Sequence, residues 1–243
     1  MRQETLRLQP AIVGVVPAAG YATRLQPLAG SKELLHVRGR PVIDYLLTRL
    51  RVAGCTELRV VTRRAKQDLI EYAHHVGAHV ILGEPPTVGD SLVLGMAGLA
   101  RDDIVLYGFP DTVWQPERAF VELLAAVEGG EELALGLFTT PEPERSDVVV
   151  LNEERRVTAV DVKPARPSSP WIYGCCAGRV RLLEGIRGFD EPGWYFDQLA
   201  RDRSILGIKF GRMIDVGTPA WLNAVEEDCV LEGPTDEGGA NPG

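Results

Sequence analysis

The sequence has 243 residues, of which 45% are hydrophobic and 25% charged, a composition typical of one large α/β domain or two small ones. Its formal net charge of −8 argues against binding to nucleic acids or anionic membranes, because a phosphate backbone requires a basic surface. A small phosphorylated substrate remains compatible with this charge, since a few local Lys and Arg residues suffice to bind it. No apolar stretch approaches the roughly 20 residues that a transmembrane helix needs.

The cysteines and the first residues favour the cytoplasm. Four cysteines show no paired spacing of the kind that binds metal, and two of them are adjacent in an apolar run: Cys55, Cys175, Cys176 and Cys229. We expect reduced, mostly buried thiols. The segment up to Pro10 includes an acid and no apolar core of signal-peptide length.

Strands and helices alternate along the first 140 residues. Strands are predicted at 11–16, 58–61, 79–82, 104–107 and 133–138, and helices from Pro41 onward and at 65–75, 91–100 and 117–127. This alternation predicts βαβ units and therefore an α/β fold, with a mainly parallel sheet covered by helices on both faces.

The pattern changes after about residue 140. A hairpin is predicted from 148–151 and 157–160, strands at 171–177 and 205–210, and helices at 179–186 and 194–201. We expect this part to form a mixed layer added to the edge of the first sheet, where it supplies a substrate wall. The last residues, 233–243, are rich in Gly, Pro and acids and are predicted to be disordered.

Three loops follow strands of the predicted parallel sheet, at the edge where such sheets bind ligands: 17–31, 83–90 and 108–114. In the first loop, small residues would let backbone N–H groups approach a phosphate: Ala18, Ala19, Gly20 and Ala22. Arg24 and Lys32 add positive charge. The loop therefore suits a triphosphate, although an ordinary connection with surface cations would look similar.

The first loop belongs to a longer motif. The motif consists of Ala18-Ala19-Gly20, Thr23-Arg24-Leu25, Pro27-Leu28, Lys32 and Arg40-Pro41. This motif resembles the signature of sugar-1-phosphate nucleotidyltransferases, especially the glucose-1-phosphate thymidylyltransferase type. Ala22 stands where the family usually has Gly, and Ser31 where Pro usually precedes the Lys. Alanine is the mildest replacement for glycine, so we expect the loop to tolerate it.

Further matches follow in the same order, and the resemblance spans about residues 12 to 228. They are Val105–Asp111, which carries two inserted residues, then Val162-Lys163-Pro164, Gly174, and Ile214–Pro219. The resemblance implies a Rossmann-like nucleotidyltransferase fold and one domain over residues 1–232. Within it, 11–140 would bind the nucleoside triphosphate and 141–228 the sugar phosphate.

The implied reaction joins a nucleoside triphosphate to a sugar 1-phosphate and releases pyrophosphate, with Mg²⁺ as cofactor. By resemblance, Asp111 and Asp215 would hold the metal, and Arg24, Lys32 and Asp111 would be catalytic. Each aspartate alone could equally be a turn residue. The implied nucleotide-binding residues are Ala18, Ala19, Gly20, Tyr21, Ala22, Thr23, Glu84 and Gly89, and the implied sugar-phosphate residues are Val162, Lys163 and Gly174.

Two departures leave the substrates open. Glu84 stands where thymidylyltransferases usually carry a base-reading Gln, and a carboxylate accepts hydrogen bonds but does not donate them. This predicts a nucleotide other than the thymidine one, unless Glu84 points to solvent. Val162 replaces an acidic residue that contacts sugar hydroxyls. A cytidylyl- or guanylyltransferase for a non-sugar phosphate, or a non-catalytic sugar-nucleotide sensor, therefore remains possible, as does a homo-oligomer.

Overall fold

A computed structural model describes residues 9–21 and 30–216. Several residues named above lie outside these ranges: Ala22, Thr23, Arg24, Gly217, Thr218, Pro219, Cys229 and the tail 233–243. Across the described residues, no helix is long and apolar enough to cross a membrane.

Twelve strands and six α-helices make up the described part of the chain. The strands are β1 (Ile12–Pro17), β2 (His36–Val37), β3 (Arg40–Pro41), β4 (Glu57–Thr62), β5 (His79–Leu82), β6 (Ile104–Gly108), β7 (Thr112–Trp114), β8 (Leu133–Thr139), β9 (Asp147–Leu151), β10 (Val157–Val162), β11 (Trp171–Arg179) and β12 (Leu206–Asp215). The helices are α1 (Ile43–Val52), α2 (Gln67–His75), α3 (Val88–Gly95), α4 (Ala119–Glu128), α5 (Val180–Leu183) and α6 (Pro192–Asp202).

One mixed sheet organises the molecule, in the order β5-β4-β1-β6-β11-β8-β12-β7, and the β9–β10 hairpin pairs with β11. The strands β5, β4, β1 and β6 are parallel, and β8 is parallel to β12. The antiparallel strand β11 separates these two groups. The predicted mainly parallel mixed sheet is thereby confirmed.

Helices cover both faces of the sheet because successive strand residues point in opposite directions. Val16 of β1 packs in one core cluster with residues of α1, α2 and α4. Its neighbour Val15 packs in the other cluster with residues of α3, α5 and α6. A continuous apolar run without alternation is the expected pattern for such a strand.

The sequence suggested that the second half of the chain is added to the edge of the sheet. The structure contradicts this expectation. Strand β11 lies in the middle and pairs with β6 on one side and β8 on the other. Its run Cys175–Ala177 is completely buried, because helices cover both faces of a central strand. The unalternating run at 171–177 is compatible with this position, but it does not reveal which strands pair with it.

Three predicted boundaries were wrong. Helix α3 spans 88–95 instead of 91–100, because the Thr87 hydroxyl caps it by accepting the Asp90 N–H at 3.0 Å. Pro41 does not open α1; it pairs with His36 in the small β2–β3 sheet. Strand β12 runs to Asp215, beyond the predicted end at 210, because its last residues pair with the unpredicted strand β7.

Packing of α1 on the sheet predicts a contrast between two positions of one helix. Leu46 is completely buried, whereas Val52 is 45% exposed. We expect Leu46→Ala to lower the free energy of unfolding by about 2–5 kcal/mol, because it leaves a cavity in the core. Val52→Ala is the matched control and should change it by less than about 1 kcal/mol. Urea unfolding monitored by circular dichroism measures both, and equal losses would contradict this packing.

Candidate functional site

A cleft of about 250 Å³ opens at the carboxyl ends of the parallel strands. Strand β1 contributes Pro17, the β6–β7 connection contributes Phe109–Thr112, and the end of β12 contributes Asp215. On the other side the wall consists of Ser146, Asp147, Lys163, Tyr173 and Glu191. The cleft is therefore assembled from both halves of the chain.

The two aspartates implied as metal ligands lie on the same wall of this cleft. Asp215 pairs with Thr112 across β12 and β7, so it stands next to Asp111. The Val216 N–H donates to the Asp111 carbonyl oxygen at 2.7 Å, which closes the strand pairing. Lys32 forms an ion pair with the Asp111 carboxylate. Burial lowers the pKa of Lys32, but the charge and hydrogen bond of Asp111, together with nearby carboxylates, outweigh it and raise the pKa.

Lys32 is held in place by its neighbours on both sides. The Ser31 N–H and hydroxyl both donate to the Asp68 carboxylate at 2.7 Å. Burial opposes ionisation of Asp68, but these hydrogen bonds lower its pKa. The fully buried Glu33 carboxylate accepts from Lys66 Nζ at 2.8 Å. Serine at the position where the family has proline thus anchors the chain through its hydroxyl.

Three cations surround an adjoining recess of about 310 Å³: Lys32, Arg63 and Lys66. Lys66 Nζ also donates to the Ala18 carbonyl oxygen at 2.8 Å, which ties it to the first loop. Gly20 and Tyr21 complete the wall on that side. The carboxylate of Asp68 lines the recess as well. With three cations, one carboxylate and exposed backbone, the recess can accept phosphate groups.

A third pocket, of about 150 Å³, lies between the first loop and the connection 85–88. Arg63 joins its two sides, because it donates to the Ala19 carbonyl oxygen and, at 3.1 Å, to the Pro85 carbonyl oxygen. Its guanidinium group also lies 3.9 Å from the centre of the Tyr21 ring. The Ser91 hydroxyl in this pocket is buried and has no hydrogen-bond partner among the described residues.

Glu84 and Gly89 lie beside the third pocket, and neither is part of its lining. Glu84 forms an ion pair with Arg63, and its side chain is 63% exposed. Gly89 packs α3 against the 3-10 turn at 184–186: an added Cβ would lie 2.4 Å from the Ile186 carbonyl oxygen. Packing alone therefore accounts for the glycine.

Of the three residues implied to bind the sugar phosphate, only one lines the cleft. Lys163 lines it and forms an ion pair with Glu191. Its φ of 44° lies in the left-handed region that favours glycine. A lysine in this backbone conformation lowers the stability of the fold by about 1–3 kcal/mol. Val162 and Gly174 adjoin the cleft without lining it. An added Cβ on Gly174 would lie 2.5 Å from the Met213 sulfur, so the core requires glycine there.

The polar residues of the cleft and its recesses that sequence reasoning missed include Arg63, Lys66, Ser91 and Asp147. Arg63 directly follows β4 and Lys66 lies in the same connection, at the same edge as the three loops considered. Applying that rule to every strand end would have found them. Nothing in the sequence distinguishes Ser91 or Asp147 from other surface-type polar residues.

Asp147 is the most unusual ionisable group of the cleft. It is only 7% exposed, and one of its oxygens, Oδ2, accepts the Gly193 N–H at 3.0 Å. The other oxygen, Oδ1, has no hydrogen-bond partner among the described residues. Burial, aided by the negative charge of Glu191, raises the pKa of Asp147 to about 6.

The donor set on the Asp111 wall fits Mg²⁺. Proteins hold this ion through one or two carboxylates, with substrate phosphate oxygens and water completing the coordination. Over residues 9–21 and 30–216, no three His, Cys, Asp or Glu side chains form a metal cluster. Asp111 and Asp215 would therefore need phosphate oxygens as further ligands.

Comparison with known proteins identifies the family of this fold and cleft. Residues 14–185 match the MobA-like NTP transferase domain, and the chain belongs to that family.

Individual relatives agree with this assignment. The chain is 27% identical over 169 residues to a glucose-1-phosphate thymidylyltransferase of Neisseria meningitidis, covering 65% of this chain and 58% of that enzyme. It is 26% identical over 232 residues to a low-salt glycan biosynthesis nucleotidyltransferase of Haloferax volcanii, covering 90% of this chain and 64% of that protein. The chain thus spans about three fifths of the length of these relatives.

A solved structure supports the fold. The crystal structure of a putative glucose-1-phosphate thymidylyltransferase from Bacillus anthracis, in complex with sucrose, superposes with a TM-score of 0.74. The two chains are 19% identical, and the match covers 88% of this chain and 94% of the other. The Rossmann-like nucleotidyltransferase fold is therefore confirmed.

The raised pKa of Asp147 predicts a pH-dependent stability. A carboxyl group with a pKa of about 6 in the folded state and an ordinary value of 3.8 favours folding when protonated. This contribution is present below pH 4 and is lost as the pH rises through 6. We expect Asp147→Asn to gain free energy of unfolding relative to the wild type between pH 4 and 7.5, by at most about 3 kcal/mol.

Urea unfolding at several pH values checks this expectation. Asp202→Asn, at the exposed end of α6, controls for the loss of one negative charge. A difference between Asp147→Asn and the wild type that stays constant from pH 4 to 7.5 would contradict the raised pKa.

Proposed function

We propose that this protein is a magnesium-dependent nucleotidyltransferase that joins a nucleoside triphosphate to a sugar 1-phosphate and releases pyrophosphate. The observation that carries the proposal is one cleft in which Asp111 and Asp215 stand between two groups of cations. Lys32, Arg63 and Lys66 lie on the side of the first loop, and Lys163 lies on the other. A reaction between two phosphorylated substrates needs this arrangement of charge.

The nucleotide would occupy the side of the cleft next to the first loop. Its triphosphate fits the 310 Å³ recess, where Lys32 and Lys66 supply charge and Gly20 leaves space for the backbone to approach. Arg24 is proposed to neutralise the leaving pyrophosphate, as the family resemblance implies. The base would enter the 150 Å³ pocket, which presents the Ser91 hydroxyl.

The acceptor would occupy the opposite side, where Lys163 holds the phosphate of the sugar. Lys163 follows β10 directly, and its N–H donates to the Ser146 carbonyl oxygen at 3.2 Å, so its backbone is anchored to the hairpin. Its ammonium group is paired with Glu191. A doubly charged phosphate would compete with that single carboxylate for the lysine.

In the proposed reaction, an oxygen of the sugar phosphate attacks the α-phosphorus in line. The new P–O bond forms as the bond to the bridging oxygen of the β-phosphate breaks, and that oxygen leaves with the pyrophosphate. No general base is needed, because the attacking phosphate is already ionised near neutral pH. The protein contributes position and positive charge, which supply most of the catalysis in phosphoryl transfer.

Lys32 and Asp111 would change partners when the substrates bind. In the substrate-free protein, Lys32 balances the Asp111 carboxylate. Asp111 and Asp215 would hold Mg²⁺, which would supply charge neutralisation for the phosphates. Lys32, which lines the same cleft, would then be free to pair with the transferring phosphoryl group.

The base preference remains a proposal that rests on Glu84. Its carboxylate would accept N–H groups of guanine or the amino group of cytosine, and it has no proton to donate to a thymine or uracil carbonyl oxygen. Arg63 would orient it beside the pocket. Changing Glu84 to Gln should therefore alter the order of preference among nucleoside triphosphates, and an unchanged order would refute this role.

A panel assay tests the proposed function. Pyrophosphate release is measured with Mg²⁺ and each of ATP, GTP, CTP, UTP and dTTP, against glucose, galactose, mannose and N-acetylglucosamine 1-phosphates. We expect release in at least one combination, at least a 100-fold loss in kcat for Asp111→Asn and for Asp215→Asn, and loss on chelation of the metal.

Asp202→Asn is the matched control, since it removes one carboxylate from the exposed end of α6 and should keep full activity. Full activity of both cleft variants would refute the metal role of these aspartates. Silence of the wild type in every combination, with triphosphate binding retained, would refute the proposed reaction and favour a non-sugar acceptor or a sensor.

A further inference from the structure

The hairpin of β9 and β10 carries a carboxylate directly opposite the position where the family resemblance leads one to expect an acid. Val162 occupies that position, and its partner across the hairpin is Asp147. Because directly opposed residues of an antiparallel pair place their side chains on the same face, the carboxylate of Asp147 stands next to the methyl groups of Val162. The acidic group is therefore present in this wall, but on the neighbouring strand.

One carboxylate oxygen of Asp147 has a hydrogen-bond partner in the wall, and the other has none among the described residues. Its Oδ2 accepts the Gly193 N–H in the first turn of α6, and an added Cβ on Gly193 would lie 2.5 Å from this oxygen. Only glycine thus leaves space for the carboxylate. Its Oδ1 is buried and has no partner among the described residues, although Asp147 lines the cleft. An unsatisfied buried carboxylate oxygen destabilises the free protein, and a ligand hydroxyl would relieve that cost.

The charged groups that line the cleft with Asp147 on this side are the cations Arg145 and Lys163 and the carboxylate of Glu191. Glu191, before α6, repels the negative charge of Asp147, and Lys163, after β10, attracts it only partly because it is paired with Glu191. Tyr173 of β11 and Tyr107 of β6 are buried, and after burial itself the negative charge of Asp147 is one of the causes that raise their pKa values. Tyr173 lines the same cleft as Asp147, and its hydroxyl group is buried. This corner suits a neutral hydroxylated group better than a second phosphate.

We propose that Asp147 recognises a hydroxyl group of the acceptor substrate and thereby takes over the task of the acidic residue that Val162 replaces. This inference rests on the proposed function. The Oδ1 atom accepts the hydroxyl proton in a charge-assisted hydrogen bond, while Lys163, on the same hairpin, holds the acceptor's phosphate. Asp147 therefore selects hydroxylated acceptors and contributes nothing to triphosphate binding, since it does not line the recess proposed for the triphosphate.

Kinetics of four variants test this role, with the sugar 1-phosphate from the panel that gives the highest kcat/KM. For Asp147→Ala we expect a rise of at least 10-fold in the KM of the sugar phosphate and a change below 2-fold in the KM of the triphosphate. Asp147→Asn keeps an oxygen for the Gly193 N–H but lacks the charge, so its loss should be smaller. The double variant Asp147→Gly/Val162→Glu carries the carboxylate on β10 instead of β9. It should recover at least part of the affinity for the sugar phosphate that the single variant Asp147→Gly loses.

Analogues of the same sugar phosphate, each lacking one hydroxyl at C2, C3, C4 or C6, identify the contact. With the wild type, one of these analogues should have a kcat/KM at least 10-fold lower than that of the complete sugar phosphate. With Asp147→Ala, the same analogue should differ little from the complete sugar phosphate, because the two changes remove the same hydrogen bond. Equal losses in both proteins for every analogue would overturn the role of Asp147.

The possible failures are distinguishable. An active wild type with an unchanged sugar-phosphate KM in Asp147→Ala refutes the role of Asp147 and leaves the proposed function intact. An inactive wild type refutes the proposed function and this inference with it. Thermal unfolding of each variant separates loss of the fold from loss of binding, since Asp147→Asn should unfold no earlier than the wild type at pH 7.5.

Discussion

The pairing of β12 with β7 is the constraint on which the cleft depends. These strands come from opposite halves of the chain, and their register places Asp215 beside Asp111. Two carboxylates so close repel each other unless a cation lies between or beside them. In the described structure Lys32 provides that cation, and its ion pair with Asp111 explains why its pKa is raised in spite of burial. This junction therefore places both aspartates on one wall of the cleft.

The residues around Lys32 form a second layer that holds this cation in place. Glu33 is completely buried and would destabilise the core without Lys66, whose ammonium group bonds both to it and to the Ala18 carbonyl oxygen. Asp68 performs the same task for Ser31. The described ends of the first loop, at Ala18 and Ser31, are thereby held by residues at the start of α2. Such anchoring is needed where catalysis depends on placing charge accurately, because displacement of about an ångström can cost orders of magnitude in rate.

The two walls of the cleft differ in character, which suits two different substrates. The wall next to the first loop is cationic and open, with Lys32, Arg63 and Lys66 around it. On the wall from the β9–β10 hairpin, Lys163 is paired with Glu191, and the buried residues Asp147 and Tyr173 line the cleft. A triphosphate carries several charges, whereas a sugar phosphate carries one charged group and several neutral hydroxyls. The division of polar groups between the walls corresponds to that difference.

The sequence by itself determined the alternation of strands and helices, the mainly parallel sheet, the edge at which the cleft opens and the family. These follow from local periodicity and from a motif whose residues are near one another in the chain. Only the tertiary structure decided that β11 lies in the middle of the sheet, that Arg63 joins two loops, and that Asp147 stands opposite Val162. Each of these depends on pairing between segments distant in sequence, and the apolar pattern of a strand specifies its burial without specifying its partner. Asp147 illustrates the limit, because its chemistry comes from burial and from the absence of a side chain at Gly193, neither of which the letters around position 147 reveal.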